Sequence, residues 1–243
     1  CRVTCYADVK QPDATTARLR SYADQWRNTY GLSEEDFVAQ VLRDEIDILV
    51  DLSGHTAGHR LTAFGRKPAP IQVSYIGYGN TTGLECMDYR ITDEITDPAN
   101  ESSFYTETLV AHPLGFACYA PPPDAPQPAA PPMFEKGCLT FGSFNNLAKI
   151  SPPVVQLWTR VLQFVPNSKL LLKSPSFNDP EVASYWRGRF QEAGLEQERL
   201  ELVGRSDTLR DHLDQYRHVD IALDTFPYTG STTTCEALWM GVP

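Results

Sequence analysis

Short apolar runs alternate with amphipathic stretches along the whole chain, and that alternation predicts its elements. In the first half, the opening residues from Cys1 read as a strand, and helical spacing of apolar positions covers 13–26 and 34–43. A continuous apolar run at 46–51 then reads as a buried strand, followed by a loop at 52–58 and further strands at 71–76 and 89–91. In the second half the pattern is cleaner, with strands predicted at 138–143, 170–173, 200–203 and 221–223. Between them lie helices starting at Ser151, at 180–193, at 207–216 and after Gly230. Ser151 ahead of Pro152 and Pro153 is a start signal, because proline suits the first helical turn, where no N–H partner is needed. Strands alternating with helices predict parallel α/β sheets. The second half reads as a doubly wound, Rossmann-like domain, a fold that binds ligands beyond the carboxyl ends of its strands.

The segment 120–132 interrupts this alternation with closely spaced prolines, which lack donors and favour extended backbone. It predicts a linker over 120–136 between a domain at 1–119 and another at 137–243. A hydrophobic content of 42% is enough to pack a core in each. The net charge of −10 argues against nucleic acid or an anionic membrane as partner, so any phosphate site must be local. Six cysteines without a C-x-x-C pair predict reduced, structural thiols and no zinc site. No apolar run reaches the roughly 20 residues of a membrane span, and no charged, apolar, small-residue series resembles a signal peptide; a soluble, cytoplasmic protein is expected. Both ends read as interior to a longer chain.

Candidate chemistry concentrates in loops after strands. Residues 220–243 read as strand, polar turn and helix start, with Ser231, Thr232, Thr233 and Thr234 offering caps and free N–H groups. Such a start holds anions. Glu236 is expected in the first turn, where it suits the dipole or accepts from a sugar hydroxyl. The loop 141–150 offers Asn145, Asn146 and Lys149, two amides and an ammonium able to grip a diphosphate. In the first half, His55 and His59 follow a strand end; His55 is placed to act as acid, base or donor. The patterns of P-loop ATPases, dinucleotide-binding folds and serine hydrolases are absent.

Several segments together resemble one family, the protein O-glycosyltransferases that include O-GlcNAc transferase and the plant protein SPINDLY. They include Asp47-Ile-Leu-Val-Asp-Leu-Ser-Gly-His-Thr56, Arg66-Lys-Pro-Ala-Pro-Ile-Gln72, Met87-Asp-Tyr-Arg-Ile-Thr-Asp93 and Thr140-Phe-Gly-Ser-Phe-Asn-Asn-Leu-Ala-Lys-Ile150. Val165-Pro-Asn-Ser168 and Leu223-Asp-Thr-Phe-Pro-Tyr-Thr-Gly-Ser-Thr-Thr-Thr-Cys-Glu236 complete the set. The resemblance implies a GT-B architecture of two Rossmann-like domains, both truncated in this chain, with the acceptor side first and the nucleotide-sugar side second. It implies an inverting, metal-independent transfer of a sugar to Ser or Thr of intracellular proteins, with no cofactor. GlcNAc from UDP-GlcNAc is favoured, with fucose from GDP-fucose and a silent nucleotide-binding scaffold as alternatives.

By that resemblance Lys149 contacts the donor diphosphate and Asn146 is an amide that helps hold it. Thr232 and Thr233 are the helix-start threonines on the phosphates, Glu236 binds the ribose, and His212 lies near the nucleobase. Ser231 stands where the animal enzymes carry histidine, His55 where they carry tyrosine, and Leu209 where they place a lysine at the uracil. The family's proposed catalytic histidine and its tetratricopeptide repeats are expected upstream of Cys1.

Overall fold

The computed structural model describes residues 1–243, apart from the side chains of 99–101. The chain forms two compact units, Cys1–Cys118 and Tyr119–Pro243.

The first unit opens with β1 (Thr4–Ala7), α1 (Ala14–Arg20) and β2 (Gln25–Asn28). A helix over 13–26 was expected, but it ends at Arg20, and Trp26 lies in a strand paired in parallel with β1, opposite Cys5. Asp13 starts α1 through a capping box with Thr16. Ladder hydrogen bonds with β1 then override the helical spacing of the residues that follow. α2 (Glu34–Arg43) matches its expected range; Ser33 caps it, three acids fill its first turn, and Phe37 and Val41 face inward. Next come β3 (Ile48–Asp51), α3 (Leu61–Phe64), β4 (Ile71–Tyr75), β5 (Tyr89–Thr92) and β6 (Thr108–Ala111), the last not predicted. β3 to β6 form a parallel sheet in sequence order, with Ile48 opposite Ile71 and Val73 opposite Tyr89. Phe37, Val41, Leu49, Leu61, Phe64 and Met87 form its core.

In the second unit the proline-rich residues 120–132 contain no helix or strand. They pack on this unit, with Ala125 against its core and the Asp124 carbonyl accepting from Arg210 at 2.5 Å. α4 (Met133–Lys136) follows, ended by Gly137 at φ 62°, and then β7 (Leu139–Ser143). The remaining elements are α5 (Pro152–Phe164), β8 (Ser168–Lys173), α6 (Pro180–Glu192), β9 (Leu200–Val203), α7 (Leu209–Asp214), β10 (Ile221–Ala222) and α8 (Thr232–Trp239). The expected helix at 207–216 is thus shorter, giving way to a 3-10 turn at Gln215–His218.

The four parallel strands run in the order β10-β7-β8-β9. Side chains on β8 alternate between the two faces. Leu170 and Leu172 pack with Trp158 and Leu162 of α5 and Phe190 of α6, while Leu171 packs with Leu213, Ala237 and Met240 beneath α7 and α8. Helices on both faces make this a doubly wound sheet. Its strand order reverses between β7 and β10, the switch point where such sheets bind ligands.

Candidate functional site

The loops that leave β7 and β10 meet at that switch point. Asn145, buried just beyond β7, donates through Nδ2 to the Asp224 carboxylate at 3.1 Å and accepts from the Thr233 hydroxyl at 3.0 Å. Asp224 follows β10 and also accepts from the Thr225 and Gly230 N–H groups, each at 2.7 Å. One buried amide and one carboxylate therefore fix the start of α8. Gly230 is required where the chain turns, because a Cβ there would come within 2.6–2.9 Å of the Thr234 and Thr233 hydroxyls and the Asn145 side-chain oxygen.

α8 begins at Thr232 with Ser231 in the N-cap position, yet the Ser231 side chain makes no capping bond. Ser231 and Thr232 are exposed, and Thr233 and Thr234 are half-buried. A helix N-terminus built this way presents backbone N–H groups to an anion. Lys149 stands beside it. Its ammonium donates to the Thr229 carbonyl at 2.9 Å and lies 4.3 Å from the centre of the Tyr228 ring. Partial burial lowers its pKa, and the nearby Asp224 charge works against that shift.

A second cluster lies beside the same helix. His212 on α7 places Nε2 3.2 Å from Glu236 Oε2 and Nδ1 3.0 Å from the Lys173 ammonium. The Tyr216 hydroxyl donates to the Thr233 carbonyl at 3.0 Å and reaches Glu236 Oε2 at 3.5 Å. Burial pushes the Tyr216 phenol well above its ordinary pKa, and the Glu236 charge pushes it further. Phe144 stacks on Tyr216 with ring centres 4.1 Å apart and meets His212 edge-on at 5.6 Å.

The structure corrects one expectation here. Glu236 is not in the first turn of α8: the helix starts at Thr232, so Glu236 falls one turn inside it and is buried against His212. It is therefore too far from the helix end to serve the dipole. Asn146 is exposed and accepts from the Ala148 N–H at 3.0 Å, capping the 3-10 turn that carries Lys149; Asn145 is the amide tied to the helix start.

Lys173 and Tyr216, which complete this cluster, are not among the candidates legible in the sequence. A lysine ending the apolar run of β8, at a carboxyl strand end, was the available signal for the first. Tyr216 gave no signal, since an aromatic near a helix end reads as core.

His55 belongs to the first unit. It is exposed on the loop after β3, with its ring 5.1 Å from Tyr78 and 6.2 Å from His59, edge-on to both. The loops after β3 and β4 interlock closely. A Cβ on Gly77 would lie 2.2 Å from the Leu52 carbonyl, and Ile76 adopts φ 57°, a strained conformation for a β-branched residue. Among the described residues, no cluster of three or more His, Cys, Asp or Glu is arranged to hold a metal, and no helix is long and apolar enough to cross a membrane.

Two units of parallel α/β sheet, the second doubly wound with its polar loops at the switch point, have the fold of the GT-B glycosyltransferases. The chain belongs to glycosyl transferase family 41, whose model matches residues 1–118 and 133–243. It is 45% identical to the probable UDP-N-acetylglucosamine–peptide N-acetylglucosaminyltransferase SPINDLY of Hordeum vulgare, over 100% of this chain and 26% of that protein. The probable enzyme of the same description named SEC, from Arabidopsis thaliana, is 31% identical over 99% of this chain and 25% of its own length. An O-GlcNAc transferase of Thermobaculum terrenum, solved as a point mutant, superposes with a TM-score of 0.92 at 42% identity, over 100% of this chain and 46% of that one. The chain thus spans about a quarter of the length of the curated relatives it matches.

Proposed function

We propose that the second unit holds the nucleoside diphosphate of a sugar donor, and that the protein transfers the sugar to Ser or Thr hydroxyls of other proteins with inversion. The observation that carries this reading is Lys149 beside the uncapped start of α8, an ammonium next to backbone donors. In the transfer, the acceptor oxygen bonds to the anomeric carbon as the bond from that carbon to the diphosphate oxygen breaks, and the hydroxyl proton passes to a base. Negative charge then grows on the departing diphosphate, where Lys149 and the N–H groups at Thr232 and Thr233 stabilise it. Ser231 and Asn146 are assigned to the rim of the phosphate site, Glu236 to a ribose hydroxyl and His212 to the nucleoside end. His55 is proposed as a proton-handling group of the first unit.

GlcNAc from UDP-GlcNAc is the favoured donor, because the SPINDLY and SEC relatives are probable UDP-N-acetylglucosamine–peptide N-acetylglucosaminyltransferases. GDP-fucose is the second reading, supported by Leu209, an apolar residue 53% exposed on the first turn of α7 where the animal enzymes place a lysine at the uracil. No metal or cofactor enters this scheme. Six free thiols in an acidic chain suit a reducing cytoplasm. Calorimetric titration of the full-length protein with UDP and GDP tests the donor: tighter UDP binding is expected, and equal or tighter GDP binding overturns the GlcNAc reading. Nucleotide binding without transfer to any peptide would identify a silent scaffold instead.

A further inference from the structure

Lys173 ends β8 at the ligand-binding edge of the second sheet and is only 4% exposed. Lysines are seldom this buried unless something holds the charge. Among the described contacts, its ammonium meets the Nδ1 of His212 at 3.0 Å and the face of Phe144 at 5.9 Å, with no carboxylate bonded to it directly. Burial lowers the Lys173 pKa, and the Glu236 charge beyond the imidazole works against that shift.

We infer that Lys173 is a positioning residue, which sets the tautomer of His212 and through it the orientation of the Glu236 carboxyl that faces the nucleoside. An ammonium has donors and no acceptor, so the Nδ1 it meets must accept. The ring proton then sits on Nε2, which donates to Glu236 Oε2 at 3.2 Å. Tyr216 reaches the same oxygen at 3.5 Å while bonding the Thr233 carbonyl, so the relay is anchored to the start of α8. Oε2 is thereby held from the protein side, and Oε1 is left for a ligand hydroxyl. Phe144, stacked on Tyr216 and edge-on to His212, confines the imidazole plane.

With the opposite tautomer, Nδ1–H would face an ammonium and Nε2 would face a carboxyl oxygen with no proton between them. Both contacts would be lost. The neighbours of His212 thus select one ring state, as second partners of catalytic and ligating histidines commonly do. The inference rests on the nucleotide reading of this site, because the carboxyl is held for a ligand.

Two measurements on the full-length protein test it. Long-range proton–nitrogen NMR of 15N-histidine-labelled protein reads the His212 tautomer without any ligand, and calorimetry with UDP and GDP reads affinity. The wild type should show a single Nε2–H tautomer. Lys173→Met should convert it to a mixture and weaken binding of the preferred nucleotide about tenfold, the equivalent of one hydrogen bond to a charged group. Lys173→Arg, which keeps a donor, should restore both. An unchanged tautomer and affinity in Lys173→Met overturn the inference, and so does an Nδ1–H tautomer in the wild type, which needs no variant to fold. A wild type that binds neither nucleotide sinks the donor reading itself, and the positioning role for a ligand falls with it, even if the tautomer responds as expected.

Discussion

The Thr233 hydroxyl donates to the side-chain oxygen of Asn145 at 3.0 Å, joining the start of α8 to the loop after β7. The same amide donates to Asp224 at the end of β10. Segments far apart in sequence are thus held at the switch point by one buried side chain. Asn145→Ala removes both bonds and should weaken nucleotide binding by about 1–2 kcal/mol, on the scale of net hydrogen-bond contributions. Calorimetry with UDP in the full-length protein checks this; an unchanged Kd would mean that the amide does not organise the phosphate site.

Lys149→Ala removes the cation beside the helix start. Turnover at saturating donor should fall about 10²- to 10³-fold, the range seen when one charge-stabilising contact in a transition state is lost. A peptide glycosylation assay measures it. Normal turnover at saturating donor would rule out Lys149 as a stabiliser of the leaving diphosphate.

Gly230→Ala places a methyl within 2.9 Å of the Asn145 side-chain oxygen and closer still to the Thr233 and Thr234 hydroxyls. Those groups must move, so the α8 start shifts and nucleotide affinity drops. Thermal unfolding measured alongside should show the fold retained, since the loop itself is at the surface.

Leu172→Ala opens a cavity in the face of the sheet packed by α5 and α6. Truncating a fully buried leucine costs about 2–5 kcal/mol, whereas Leu209→Ala at the exposed start of α7 should change stability by less than about 0.5 kcal/mol. Urea unfolding followed by fluorescence separates the two.

Acid should destabilise the first unit through Asp44. Hydrogen bonds from Arg27, the nearer at 2.6 Å, hold its pKa at about 2, below the ordinary aspartate value of 3.8. A depressed carboxyl pKa stabilises the fold fully above 3.8, and that contribution is lost as pH falls toward 2. Asp44→Asn should therefore flatten the pH dependence of stability across this window, as read by urea unfolding at a series of pH values.

Wherever a local rule was sufficient, the elements were legible in the sequence. The helical spacing of apolar positions over 34–43 marked α2, the two prolines after Ser151 marked α5, and the apolar run 200–203 marked β9 to the residue. The misreadings came where pairing with a distant strand overrode local preference. Trp26 fits a helical stripe, yet it lies opposite Cys5 in a parallel ladder, and β6 pairs in parallel along the edge of β5. For the candidate site, the residue types and loops at Lys149, the threonines after Gly230 and Glu236 could be read from the residues themselves, whereas His212 entered only through the family resemblance.

Their relationships could not. Whether Asn145 or Asn146 faces the helix start depends on which way the chain turns after β7, and Asn146 spends its oxygen on the turn below Lys149. Glu236 pairs with His212 from 24 residues away, and Lys173 reaches the same imidazole from 39 residues away. No periodicity encodes such contacts. Sequence alone specifies elements and the chemistry they carry, because helix caps, strand runs and turn residues act within a few positions. The strand order β10-β7-β8-β9 is a non-local outcome of packing both faces of one sheet, and it brings the loops after β7 and β10 together and buries a lysine against a histidine.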